Sequence, residues 1–289
     1  MSKTFFRFQV GEFDCIALND CRDLRMALPI RASLSNASEA ELMEATRPYG
    51  FEPDEWVQDV YINCLFIDTG NRKILFDVGM GTPDVFSGSG KLRADLEDAG
   101  VSAHEIDTVI LTHGHWDHVA GLVDDSHNLL FPNANYVMQQ KEWDFWMNRT
   151  NLQKLNPKHQ AFDAISFDKL PMISERIKLF ETEGEILPGI IAIAAPGHTP
   201  GHTAFLISSG DDELLHIADL VHNDLHFEHP NWLHEVDIMS ELSFESRRKV
   251  FFKAASNQMM VFGCHTTGPA FGLGQIETHG DAWKWRPWQ

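Results

Sequence analysis

Short apolar runs recur along the chain, each closed by Gly, Asn, Asp or Pro: FFRFQV (5–10), FDCIAL (13–18), VYINCLFIDT (60–69), KILFDV (73–78), DTVILT (107–112), ANYVMQ (134–139), RIKLFE (176–181), IIAIAA (190–195), TAFLIS (203–208), ELLHIA (213–218) and QMMVFG (258–263). Runs of this length between turn residues predict β-strands, and the many adjacent ones predict hairpins. Helical patterns lie among them: SEAELMEAT (38–46), where Ser38 and Glu41 make a capping box, KLRADLEDA (91–99), stopped by Gly100, KEWDFWMNR (141–149) and SFESRRKVFFKAAS (243–256). Strands in both halves, each half with its helices, predict an α/β (α+β) chain of two packed sheets with helices outside. The polar segment from Asn148 to Asp168 reads as a loop-like insertion over one face. No low-complexity linker or short repeat divides the chain, so residues 1–289 are expected to form one domain.

Composition narrows the partners. A chain of 289 residues, 43% hydrophobic, can bury a large core. Its formal charge of −19, with no Lys/Arg run, argues against nucleic acid or an anionic membrane surface as a partner. The opening MSKTFFRFQVGEFDC has no apolar signal core and no stretch approaches the length of a membrane span, so a cytoplasmic protein is expected. Cys15, Cys21, Cys64 and Cys264 lie in or beside apparent strands without a CxxC spacing and are read as reduced.

The chemistry concentrates in LTHGHWDHVAGL (111–122), which follows the strand-like DTVILT. His113 and His115 are alternate residues of an extended segment and point the same way. Asp117 and His118 follow where the chain turns into a short helix and face a neighbouring position, so one loop offers donors to two cations. A tight Pro/Gly loop in PGHTPGH (196–202) presents His198 as a third imidazole to the first ion. LLHIAD ends in Asp219, whose carboxylate could bridge two cations, and QMMVFGCH ends in His265. Each of these residues follows an apolar strand, so all can meet at one edge of the sheets.

Together these residues resemble the metallo-β-lactamase fold superfamily. HGHWDH resembles its HxHxDH motif, PGHTPGH its third-histidine loop, IADL its bridging aspartate, GCH its last histidine, and YINCLFIDTGNRKILFDVGMG its opening strand pair, with Asp77 as a buried supporting acid. The resemblance implies a four-layer αββα sandwich with a two-metal site along one edge. It assigns His113, His115 and His198 to one ion, Asp117, His118 and His265 to the other, and Asp219 to both. Zinc is expected, although an N/O donor set also admits iron, manganese or cobalt.

Two such cations about 3.5–4 Å apart share a water and lower its pKa, which gives a hydroxide nucleophile at neutral pH. Asp117 is expected to orient that water or carry a proton to the leaving alkoxide. Within the superfamily, the carboxylate at Asp219 separates the chain from typical β-lactamases, and its acidity separates it from the RNA-processing branch. The long segment between Val123 and Leu187 separates it from minimal glutathione-thioester hydrolases. The C-terminal third resembles the methyl-parathion-hydrolase-like subgroup and, beside it, the acyl-homoserine lactonases. Its loop TTGPAFGLG departs from the subgroup's HxPFPGxG, which alters the leaving-group pocket. His222 stands three residues beyond Asp219, where the lactonases carry a tyrosine; it either donates a hydrogen bond to the reacting oxygen or satisfies a buried neighbour.

The expected activity is hydrolysis of a small-molecule ester or lactone by a hydroxide bridging two metals, with phosphotriester hydrolysis as the alternative. A mononuclear-iron oxidoreductase and a non-catalytic metal-binding protein rank lower, because the second-site donors are complete. Trp143, Phe145 and Trp146 read as core, His202 as a hydrogen bonder behind His198, and Phe271 as a substrate contact. Met26, Leu28 and Ile30 read equally as a lid over the site or a contact of a homodimer.

Overall fold

The apolar runs form two stacked sheets in the computed structural model of the chain, which describes residues 4–21, 25–26, 30, 34, 36–50, 58–59, 61–81 and 88–289. Across the first sheet lie β1 (Phe5–Val10), β2 (Phe13–Asn19), β5 (Asn63–Asp68), β6 (Lys73–Phe76), β7 (Thr108–Ile110), β8 (Asn135–Gln139) and β9 (Ile177–Phe180). Two short strands, β3 (Arg25–Met26) and β4 (Gln58–Asp59), pair apart from it. The second sheet runs β10 (Gly184–Leu187), β11 (Ile190–Ala194), β12 (Thr203–Ser209), β13 (Asp212–Ala218), β14 (Met260–Gly263), β15 (Leu273–His279) and β16 (Ala282–Pro287).

Neighbouring strands are antiparallel except where a crossover intervenes, since parallel pairing needs a long connection. β6 through β9 are parallel, and so are β13 and β14. The connections carry α2 (Leu92–Asp98), α3 (Trp116–Val119), α4 (Gln140–Met147) and α5 (Gln160–Lys169) in the first half, and α6 (Leu225–Glu228) and α7 (Ser240–Ser256) in the second. Before them, α1 (Glu39–Thr46) starts at the expected capping box of Ser38 and Glu41.

Strand alternation sorts the apolar side chains into layers. Ile16, Leu18, Phe66, Leu75 and Val109 face the helices of the first half. Cys15, Ala17, Leu65, Ile67, Phe76 and Ile110 face inward, where they meet Phe205, Ile207, Leu214 and Phe262 of the second sheet. On that sheet's other face Leu206, Leu215, Ile217 and Val261 pack with Val250, Phe251 and Ala254 of α7. The order is therefore helix, sheet, sheet, helix. Strands buried on both faces explain why the sequence shows continuous apolar runs instead of clean alternation.

Two expectations need correction. The segment 148–168 is not loop-like: it carries a 3-10 turn at Arg149–Lys154 and then α5. Its few apolar residues suffice because they meet aromatic partners, Phe162 stacking on Trp116 with ring centroids 5.0 Å apart and Phe167 packing at a tilt against Trp146 at 4.9 Å. Ile30 is fully buried with Leu34, Leu42, Leu225 and Trp232, which leaves it no surface for a dimer contact. Leu28 and the side chain of Met26 lie outside the described residues. All four cysteines are buried and free, as expected. Among the described residues no helix is long and apolar enough to cross a membrane.

Candidate metal centre

The donor-bearing segments leave the sheets at one edge, and each is bent by a specific device. Asp77 follows β6 in the left-handed region (φ 58°). Its carboxylate accepts from the Thr112 amide, the Thr112 hydroxyl and His118 Nδ1, each at 2.8 Å. That clamp folds the chain after β7 into the one-turn helix α3. Ala218, also left-handed at φ 46°, ends β13 where the register against β14 slips between His216 and Ala218. A bulge of this kind re-aims the following side chain, here Asp219. His265 follows β14 and is held through Nδ1, which donates to the Tyr61 carbonyl at 2.6 Å.

The seven predicted donors come together in two groups, His113, His115 and His198 in one and Asp117, His118, Asp219 and His265 in the other, with the donor atoms of each group within 4.8 Å of one another. His198 Nε2 lies 2.7 Å from His115 Nδ1 and 3.2 Å from His113 Nε2. Asp219 sits between the groups. Its Oδ2 is 3.7 Å from His113 Nε2, 3.5 Å from His198 Nε2 and 2.9 Å from His265 Nε2, while Oδ1 is 3.2 Å from His118 Nε2. Asp117 Oδ2 completes the second group at 3.6 Å from His118 Nε2 and 3.5 Å from His265 Nε2.

The outward ring nitrogens are spoken for, which fixes tautomers and aims lone pairs inward. His118 Nδ1 donates to Asp77, His198 Nδ1 to Asp237 at 3.0 Å, and His113 Nδ1 meets the Thr112 hydroxyl at 3.0 Å. Burial and the neighbouring imidazoles, His118 for His113 and His198 for His115, drive both rings well below the usual histidine range. Burial opposes charge on His118 as well, but Asp219, Asp117 and Asp77 around it hold its pKa well above normal. For Asp219 burial favours the neutral acid, and His118, His265 and His113 overcome it, so the carboxylate stays ionised.

This donor set fits divalent cations. His118 Nε2 and Asp219 Oδ1 are buried and face each other at 3.2 Å without the geometry of a hydrogen bond, an arrangement natural for ligand atoms. Tetrahedral zinc with Zn–N of about 2.0–2.1 Å requires donor nitrogens about 3.3 Å apart; His113 and His198 stand at 3.2 Å, and His115 and His198, at 2.7 Å, would move apart by about half an ångström. The neutral imidazoles of His113 and His115 and the ionised carboxylate of Asp219 are protonation states that ligation demands, while His118, held protonated by its carboxylates, would release its proton when a cation binds.

Several supporting residues carry no local sequence signal. Glu142 on α4 is fully buried; one oxygen accepts from the Gly114 amide (2.8 Å) and Trp146 Nε1 (2.7 Å), the other from the Thr199 hydroxyl (2.7 Å) and the Gly201 amide (2.8 Å). One side chain thus ties together the loops bearing His113, His115 and His198. Burial pushes its pKa up against these four donors. Asp237 holds His198 and is itself held by the Ser243 hydroxyl (2.9 Å) and, at 3.6 Å, by the buried guanidinium of Arg247. The sequence offered one clue: an arginine within the core-facing pattern of α7 must find a carboxylate or carbonyls.

The remaining predictions are placed as follows. His202 donates through Nδ1 to the Ala195 carbonyl and accepts the Asp219 amide on Nε2, so neither nitrogen is free for an ion. His222 lies at the mouth of the cluster, with Nε2 3.6 Å from Asp219 Oδ2 and its ring stacked on His234 at 4.0 Å. Trp146 is buried, and Trp143 and Phe145 pack partly buried on the same core. Phe271 packs at the inter-sheet core with φ 48°.

The chain is 29% identical to AidC, a dizinc quorum-quenching lactonase solved in complex with a product N-acyl-L-homoserine, over 99% of this chain and 97% of that one with a TM-score of 0.89. It is 26% identical to the hydrolase AbOPH of the beta-lactamase superfamily over 100% and 99% of the two chains, TM-score 0.87. An N-acyl homoserine lactonase of Bacillus cereus is 24% identical over 70% of this chain and 80% of its own length. The chain spans little more than half the length of other curated Bacillus relatives, 56% of one and 58% of another. The metallo-beta-lactamase superfamily profile matches residues 57–265, which include every donor described above. With sandwich, edge cluster and profile in agreement, the chain belongs to the metallo-beta-lactamase superfamily.

Proposed function

We propose that this chain is a hydrolase that binds two divalent cations, zinc by the character of its donors, and cleaves a carboxylic ester or lactone of a small molecule. The observation that carries the reading is the position of Asp219, a buried carboxylate facing both groups of imidazoles at once. Cations bound there would supply a water of lowered pKa and withdraw electrons from a substrate carbonyl.

The chain's own residues do the rest. Asp117, half-shielded at the rim of the second group, accepts the proton of the attacking water and returns it to the departing alkoxide. His222, 3.6 Å from Asp219 Oδ2 and stacked on the His265 ring, donates a hydrogen bond to the carbonyl oxygen as negative charge develops on it. Asp77, Asp237 and Glu142 hold the donors in register so that little reorganisation accompanies the reaction. Likeness to two lactonases supports lactones ahead of phosphotriesters.

The test is metal content per chain with a panel of acyl-homoserine lactones, aryl esters, a β-lactam and a phosphotriester. Two zinc per chain with hydrolysis of lactones or aryl esters is the expected result. One ion per loaded chain, or turnover of the phosphotriester alone, would overturn the reading.

A further inference from the structure

Beside the first donor group the structure holds a cavity of about 100 Å³, closed by α5, the turn before it and the segment 235–238. His115 forms part of its wall, so it opens directly onto the cluster. Its volume suits one small polar group of a ligand, since a water molecule occupies about 30 Å³.

The polar side chains around it are engaged, with one exception. Lys154 Nζ donates to Asn151 at 2.7 Å. Asn156 donates to the Glu235 carbonyl at 3.2 Å, and Glu235 takes His159 at 3.1 Å and Lys158 at 3.0 Å. Asp163 also lines the cavity, is only 4% exposed, and makes no side-chain hydrogen bond or ion pair with any of the described residues. It lies in the first turn of α5 without capping that helix. Buried polar groups without partners are rare, and one aimed into a cavity beside a reactive centre marks a place that a ligand completes.

We infer that Asp163 positions substrate: its carboxyl group receives an N–H or O–H donor carried next to the scissile carbonyl. This deepens the proposed hydrolase reading and rests on it for the location of that carbonyl. The chemistry selects an ester or lactone with an amide or hydroxyl on the adjacent carbon, and it disfavours plain alkyl lactones. A donor entering the cavity gains a hydrogen bond to a group largely shielded from bulk solvent, whereas an analogue lacking it displaces water from the cavity and leaves the carboxyl unpaired, the asymmetry that gives polar sites their discrimination.

The test measures calorimetric binding of two ring-opened ligands that cannot be hydrolysed, N-hexanoyl-homoserine and its N-methyl analogue, to the zinc-loaded chain. Wild type should prefer the N–H ligand by about tenfold or more. Asp163→Leu should bind both within about twofold of each other with unchanged zinc content, and Asp163→Asn, which keeps a carbonyl acceptor, should retain most of the preference. Equal affinities in wild type, no binding of either ligand, or a preference that survives in Asp163→Leu would overturn the inference. Lactone turnover separates the two ideas. Hydrolysis without N–H preference sinks the subsite alone, and preference without hydrolysis sinks the hydrolase reading alone.

Discussion

Replacing Glu142 by Gln tests whether the two ligand loops share one anchor. Glutamine keeps the shape but turns one oxygen into an amide donor. If that donor faces Thr199 and Gly201, the hydroxyl can rotate to accept it, but the Gly201 amide is orphaned; facing Gly114 and Trp146, it orphans two donors. The better orientation therefore leaves one buried N–H unsatisfied, worth about 1–3 kcal/mol, and weakens two charge-assisted bonds by about 1 kcal/mol each. Relief from burying a carboxylate, the cause of its raised pKa, offsets part of this, leaving a net loss of about 2–3 kcal/mol. Urea unfolding of the chelated protein should show a lower midpoint with unchanged m. Competition against a chromophoric chelator should show zinc affinity reduced about tenfold, because the anchor fixes both loops of the first group. A variant within about 0.5 kcal/mol of wild type and with unaltered affinity would refute the anchoring role.

Other substitutions separate ligation, orientation and burial. His115→Ala should lose metal and activity together, whereas His222→Phe should keep its metal while turnover falls; equal metal loss in both, by elemental analysis, would show the roles misassigned. Asp237→Asn should weaken zinc binding about tenfold or more, measured by chelator competition, since the acid orients His198. His216, far inside the inter-sheet layer against Phe76 and Phe262, has its pKa lowered by burial to about 4. The folded state thus binds its proton less readily than the unfolded chain does. Its contribution is full above the unfolded value of about 6.5 and is lost as pH falls toward 4, at about 1.4 kcal/mol per pH unit. His216→Asn keeps an acceptor for the Ala218 amide and should flatten the acid limb of chelated-protein stability by that slope; an unchanged limb counts against a neutral buried ring.

The clustering of the seven candidate donors was legible because four crowd into six positions and each of the others follows an apolar strand, so local pattern and chemistry coincide. The layer order was legible for the same reason. Glu142, Asp237 and Asp163 were not, since their meaning lies in partners or cavities tens of residues away and no periodicity marks them. The turn of Asp219 out of β13 depends on a one-residue slip and a left-handed alanine, which sequence propensity disfavours. α5 was missed because its packing comes from Trp116 and Trp146, supplied by other segments.

Among the described strands the chain passes from one sheet to the other once, between β9 and β10 at residues 181–183. His113, His115, Asp117 and His118 precede that passage, and His198, Asp219 and His265 follow it. Cations at the centre would therefore rivet two halves that leave the ribosome at different times, and the nascent chain lacks a full set of donors until His265 has emerged. A backbone cleaved at 181–183 would yield two fragments, each with an incomplete grip on metal, whose reassembly should depend on the ions that neither half holds alone.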